Sequence, residues 1–425
     1  MASKYSDEDF FDEDGNLVNT SWQLDQQQAE AVEEKKRAQE EKMSVMRETN
    51  RRLAVDNRLA DFEKSVSESQ HRRHIREQWM ALPTWIKKMP RTPLTAPPTE
   101  GRKEKIKYSM TGKVSLTEAE RGRRIRNLKR VQVAIKDYET IHRPFPEGAS
   151  MVPVAVVPLF PGVGSTMISR GISRAFAENR LDYGISAVVD LGGGDNRLPA
   201  WYEKVGRKAV MMKSILRLIR DYTGPLPHMN ETFQRGGEGE YLLENHPAPE
   251  RRIDPGIEDV VDIYRYMRPT KGVGIFDCDS QDKDSMLASV ALAKTRIFVL
   301  PIAADAHKKL AALFEEIRES VGEDRYQKII DNSVLVISGL TPSTGTEKGK
   351  RILSQILSKS ADTVGIDPDR TILIPHDKAL DDPPLAWDSL KFSTAHTFRW
   401  LAGRIVSDVV GEPNRKTLLS QSIGG

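Results

Sequence analysis

"VAVVPLFPGVGSTMISR", residues 154–170, changes character twice along its length. The apolar, β-branched opening reads as a buried strand of a parallel sheet that ends near Phe160. The segment "PGVGS" follows, and an amphipathic helix is predicted from about Thr166. Gly162 and Gly164 let backbone N–H groups curve around an anion, and the positive end of the helix dipole points to the same place. Thr166 brings a hydroxyl to the position where such loops ligate Mg²⁺. Together these parts have the form of a phosphate cradle, yet no lysine lies within it.

Working outward, the texture from Met151 onward alternates short β-branched runs with amphipathic helical segments. Candidate strands are "PVAVVPLF", "GISAVVDL", "GEYLLEN", "GVGIFDC", "RIFVLPI", "SVLVISGL" and "TILIP". Helices are predicted to start near Thr166, Lys208, Ile257, Asp284, Asp305, Glu347 and Thr394. About seven strands interleaved with helices predict an α/β fold, a doubly wound and mostly parallel sheet occupying residues 151–412. No internal repeat interrupts this pattern.

In order and spacing these motifs resemble the ParA/MinD P-loop ATPases, a SIMIBI-class family, and especially the MinD-like proteins found with actinobacterial secretion systems. The family loop reads K-G-G-x-G-K-[ST], and the same positions here read "FPGVGST". "AVVDLGGGDNRLP" is similar to the family's second-strand motif, with Asp190 at its acidic position. "VGIFDCDS" resembles the Walker B strand and puts Asp277 where the family has its Mg²⁺- and water-positioning carboxylate. The resemblance implies ATP as ligand, catalytic roles for Asp190 and Asp277, and a cradle of Gly162, Val163, Gly164, Ser165 and Thr166. It further implies Mg²⁺ on Thr166 and Asp277 if a nucleotide binds, Ser338 where the family contacts adenine through an asparagine, and an ATP-sandwiched homodimer.

The departures are specific. Phe160 replaces the signature lysine, Pro161 the next glycine and Ser165 the Walker lysine. Pro161 also removes one backbone donor, and Gly192 stands where ParA-type proteins often carry a second acid. Phosphoryl transfer is catalysed almost wholly by electrostatic stabilisation of the transferring group. Losing both cations leaves roughly 3–7 kcal/mol of transition-state stabilisation unsupplied, taking an arginine finger as the yardstick. A rescuing cation could come from Arg170, Arg197 or Lys204. Arg170 is expected to point away from the loop, which makes Arg197 the stronger candidate. Without such rescue, Asp190 and Asp277 remain as helix caps or hydrogen-bond anchors. Gly192, Gly193 and Gly194 either line a ligand edge or ease the exit from the second strand. His307 and His376 lack partners at metal spacing, and Cys278 reads as core.

The first 150 residues are of another kind. Residues 1–25 read as an acidic disordered tail, and residues 26–78 as a long charged helix, free of proline and glycine. Val55, Leu59, Phe62 and Val66 fall at the spacing of a weak coiled-coil seam, a route to protein partners or self-association. Residues 79–150 read as a proline-rich linker and a basic segment. Within them, residues 101–130 hold eleven Lys/Arg against three Glu, suited to nucleic acid or an anionic membrane surface. Residues 413–425 read as a flexible tail too short for a membrane-targeting helix.

Composition narrows the setting. The 425 residues carry a net charge of only +3, a single cysteine and 29% charged residues. One cysteine excludes an intrachain disulfide framework. The acidic N-terminus lacks the apolar region of a signal peptide, and no apolar run is long enough to span a bilayer. A cytoplasmic setting is expected, with recruitment to a membrane-associated complex or to DNA left open. Three functions stay in play: a weakly or non-hydrolysing scaffold of a secretion, conjugation or partitioning machine; an active, ATP-dependent dimerising ATPase; and a nucleic-acid-binding protein acting through residues 101–130.

Overall fold

The computed structural model describes residues 80, 82–179, 184–192, 198–205, 210–237, 239–246, 248–338, 347–381 and 383–411. The predicted long helix, both tails and Arg197 lie outside the described residues. The chain divides into two compact units. Of the smaller, the described part is a short helix, α1 (Thr84–Lys87), whose Lys87 Nζ donates to the Met80 carbonyl at 2.6 Å. The larger unit takes in residues 94–413.

That unit is built on a nine-stranded sheet. Its strands are β1 (Val152–Pro158), β2 (Ile185–Asp190), β3 (Lys204–Val205), β4 (Gln234–Gly236), β5 (Tyr241–Leu243), β6 (Gly272–Asp277), β7 (Thr295–Pro301), β8 (Ser333–Ser338) and β9 (Thr371–Leu373). Their spatial order is β3-β4-β5-β2-β6-β1-β7-β8-β9. From β5 to β9 every pairing is parallel, while β3 and β4 add an antiparallel edge. The seven strands expected from sequence are the seven parallel ones. The two additional strands are two and three residues long, too short to show a period in sequence.

Each parallel strand is buried on both faces, which is why its sequence is a continuous apolar run rather than an alternation. On one face Val154 and Val156 of β1 meet α4 (Ser165–Asn179) and α12 (Phe392–Val410) through Ile168, Ile172, Phe398 and Leu401. On the other, Ala155 and Val157 join a second core. That core takes side chains from α5 (Met212–Asp221), α7 (Ile257–Met267), α8 (Lys283–Leu292), α9 (Ala306–Val321), α10 (Glu323–Asp331) and α11 (Glu347–Val364). A single turn, α6 (Met229–Thr232), precedes β4. Among the described residues no helix is long and apolar enough to cross a membrane.

The basic region upstream of Met151 is part of this packed unit. It forms α2 (Arg102–Thr111) and α3 (Glu118–Ile141). Helix α3 starts on Thr117, whose side chain caps the Glu120 N–H, and its inner face runs through Val131, Ala134 and Ile141. Asp137 of α3 lies 2.7 Å from Nδ1 of His396 on α12, both buried. The buried Glu120 carboxylate accepts from Thr99 N–H and hydroxyl at 2.7 Å, from Glu100 N–H at 3.0 Å and from Arg124 at 2.5 Å. Arg124 also donates to the carbonyls of Ala96 and Pro97. One of the eleven cations is therefore a buried structural group.

Helices α4 and α12 meet backbone to ring. A Cβ built on Gly171 would lie 2.4 Å from Cδ1 of Phe398, closer than any real contact. Gly171→Ala is therefore expected to cost about 1–3 kcal/mol through overpacking, read as a lower denaturant midpoint. An unchanged midpoint would show that the two helices part freely.

Candidate functional site

The site is assembled at the carboxyl end of β1, where the strand stops at Pro158. The ladder survives the missing amide because Leu159 N–H donates to Val299 O at 3.1 Å. The chain then turns through Pro161–Gly164, with Gly162 at φ 74° and Gly164 at φ 86°, both left-handed conformations that favour glycine. Helix α4 begins directly afterwards at Ser165, and Ile168 N–H closes its first turn on Gly164 O at 3.0 Å. The first N–H groups of that helix face the loop. Around Gly162 the space is open: a Cβ there would meet nothing within 4 Å. No other part of the described structure crowds the backbone at Gly162.

Two side chains bear on the loop in ways the sequence did not disclose. Ser338, at the end of β8, donates its hydroxyl to Val163 O at 2.5 Å. The residue aligned with the family's adenine contact therefore tethers the cradle itself. Phe160 occupies the signature-lysine position, and Lys309 of α9 sits with Nζ 3.8 Å from its ring centroid. This is a cation–π contact that keeps an ammonium beside the loop. No spacing rule links residues 160 and 309; only the fold brings them together.

The carboxylates lie deeper. Asp190 and Asp277 end β2 and β6, are paired in register on adjacent parallel strands, and are both wholly buried. Asp277 Oδ1 accepts from Ser169 Oγ at 2.9 Å, joining β6 to the second turn of α4. Asp190 Oδ1 accepts from Gly192 N–H at 3.3 Å. Burial, and then the charge of Asp277 beside it, push the Asp190 carboxyl up to about 8, so it holds a proton at neutral pH. A Mg²⁺ held by Thr166 and Asp277 would have to reach a carboxylate packed under α4. Among the described residues no group of three His, Cys, Asp or Glu side chains is arranged to hold a metal.

Of the candidate rescuing cations, Arg170 is committed elsewhere. It is buried, pairs with Glu240, donates to Trp201 O at 3.1 Å and stacks 4.4 Å over Tyr202, tying α4 to the antiparallel edge. Arg197, Gly193 and Gly194 lie outside the described residues, as does the Lys204 side chain. Cys278 is buried with its thiol pushed up, and His376 is an exposed residue whose carbonyl accepts from Lys391.

The raised Asp190 carboxyl has a definite sign for stability. In the unfolded chain it ionises near 3.9, so the native state binds the extra proton between about pH 4 and pH 8, and stability falls as pH rises through that window. Asp190→Asn removes this dependence. Its urea midpoint should exceed that of wild type at about pH 8 and converge on it toward about pH 4. Parallel pH profiles for the two proteins would contradict the assignment.

No protein-family model and no curated protein matches the chain. Solved structures do match. A ParA family ATPase from Chlorobium tepidum TLS shares 13% identity over 62% of this chain and 93% of its own, with a TM-score of 0.41. The MinD cell division protein of Aquifex aeolicus shares 14% over 61% and 97%, with a TM-score of 0.39. Apo McdA from Cyanthece shares 12% over 59% and 99%, with a TM-score of 0.42. The chain is similar in fold to the ParA/MinD-family ATPases.

Proposed function

We propose that this protein is a ParA/MinD-like P-loop module that binds the phosphates of a nucleotide weakly, cleaves them slowly or not at all, and acts as a localisation or scaffolding part of a larger bacterial machine. The observation that carries the reading is the charge inventory of the cradle. Its two glycines are left-handed and a helix starts directly after them, while its described side chains supply no cation from within the loop and one, Lys309, from outside it. Asp190 protonated at neutral pH and Asp277 bonded to Ser169 support the same reading. ATP with Mg²⁺, when bound, would bring the triphosphate and its counterion. The chain's own part would be backbone donation from Gly162–Thr166. Secretion, conjugation and partitioning machines are the settings considered. The helix of residues 26–78 is the proposed partner-binding element, with a homodimer as the proposed assembly.

A second reading, an anionic partner on residues 101–130, is favoured by one observation: α2 keeps none of its residues buried. Nucleic acid would be bound there with a steep salt dependence.

Titration of the full chain with a fluorescent ATP analogue should give weak, saturable binding, with phosphate release no faster than in a protein-free control. Mg²⁺-dependent release abolished by Asp277→Ala would overturn the scaffold reading in favour of an active ATPase. In the same titration Lys309→Ala should weaken binding roughly fivefold, the equivalent of about 1 kcal/mol from one nearby charge. An unchanged affinity would remove Lys309 from the site.

A further inference from the structure

Helix α2 presents two different sides. Glu104 and Tyr108, one turn apart, are partly covered, and a Cβ on Gly101 would run into the Glu104 carboxylate with the Thr117 methyl beside it. The opposite side carries Ile106 and Met110, again one turn apart, 49% and 80% exposed. Arg102, Lys103, Lys105 and Lys107 flank this apolar pair, and Lys113 and Val114 follow it, all exposed. Among the described residues none of these five cations pairs with an acid. The surface is an apolar centre inside a ring of positive charge.

The same chain contains the complementary pattern. Residues 7–14 read "DEDFFDED", with Phe10 and Phe11 set between two triplets of acids. We infer that residues 7–14 dock on the outer face of α2, with Phe10 and Phe11 against Ile106 and Met110 and the flanking acids against Arg102, Lys103, Lys105 and Lys107. Charge complementarity alone would suit any polyanion. Nucleic acid, however, gains nothing from the exposed isoleucine and methionine, whereas the acidic segment matches both parts of the surface in the same arrangement. Because the segment belongs to the same chain, its effective concentration at α2 is high without any partner. The docking is an intrachain contact that competes with anionic partners for the basic face. This inference does not depend on the nucleotide reading.

The test is zero-length carbodiimide cross-linking of the full chain, which joins carboxylates to amines in direct contact, followed by peptide mapping. Cross-links are expected from Asp7–Asp9 and Asp12–Asp14 to Lys103, Lys105 or Lys107. Their yield should fall severalfold in Phe10→Ser/Phe11→Ser and in Ile106→Ser/Met110→Ser, the second pair being exposed on α2. An equal mixture of ¹⁴N- and ¹⁵N-labelled chains should give cross-links within one isotope only. Mixed-isotope cross-links would place the segment on a second copy and overturn the intrachain contact. Absence of these cross-links, or a yield indifferent to the serine variants, would overturn the docking. So would full accessibility of α2 in the intact chain to duplex DNA or to phosphatidylglycerol vesicles, with affinity unchanged when residues 7–14 are neutralised.

Discussion

The buried hydrogen bond from Ser169 to Asp277 fixes where the first helix after the loop sits against the sheet. The two residues lie on elements far apart in sequence, α4 and β6, and both are wholly buried. An unpaired carboxylate at that depth would be strongly unfavourable, so α4 must stay where its hydroxyl can reach. With α4 held, the turn at Gly162–Gly164 must close over a fixed gap. Gly171 then lies against Phe398, and Ser338 comes within reach of the Val163 carbonyl. Much of the site's geometry follows from that one placement.

The proposed cradle sets left-handed glycines in a loop without lysine. A phosphate loop has two separable components: N–H groups aimed by left-handed glycines, and cations that respond to charge developing on the transferring group. The first component depends on φ angles and helix position, and here Gly162 and Gly164 are left-handed and α4 starts at Ser165. The second depends on single side chains, and Phe160 and Ser165 do not supply it. Lys309 is an exposed ammonium resting on an aromatic ring, so its field is screened more than that of a lysine rooted in the loop.

The parallel sheet was legible because buried parallel strands are continuous apolar runs, and all seven such runs became strands. Helix starts at Ile257 and Glu347 coincide with the structure, and the others fall within a few residues. What escaped was set by tertiary contact. Strands β3 and β4 are too short for periodicity, and the contact between residues 160 and 309 has no local signal. Arg170 points away from the loop, but its partner Glu240, seventy residues away, had no local signal. The basic stretch 101–130 read as a stripe of eleven cations against three acids. In the fold it divides, with Arg124 buried on Glu120 and the lysines of α2 in solvent. A sequence gives the sign and density of charge, but not which members a neighbouring carboxylate has neutralised.

The contact chain from Gly171 to Phe398, from His396 to Asp137, and from Glu120 to the Thr99–Glu100 peptide has a further consequence. Phe398, His396, Asp137 and Glu120 are buried, while the Thr99–Glu100 peptide lies at the surface. Helix α3 is thereby tied through α12 to the helix that follows the loop, and the chain just before α2 is tied to α3 through Glu120.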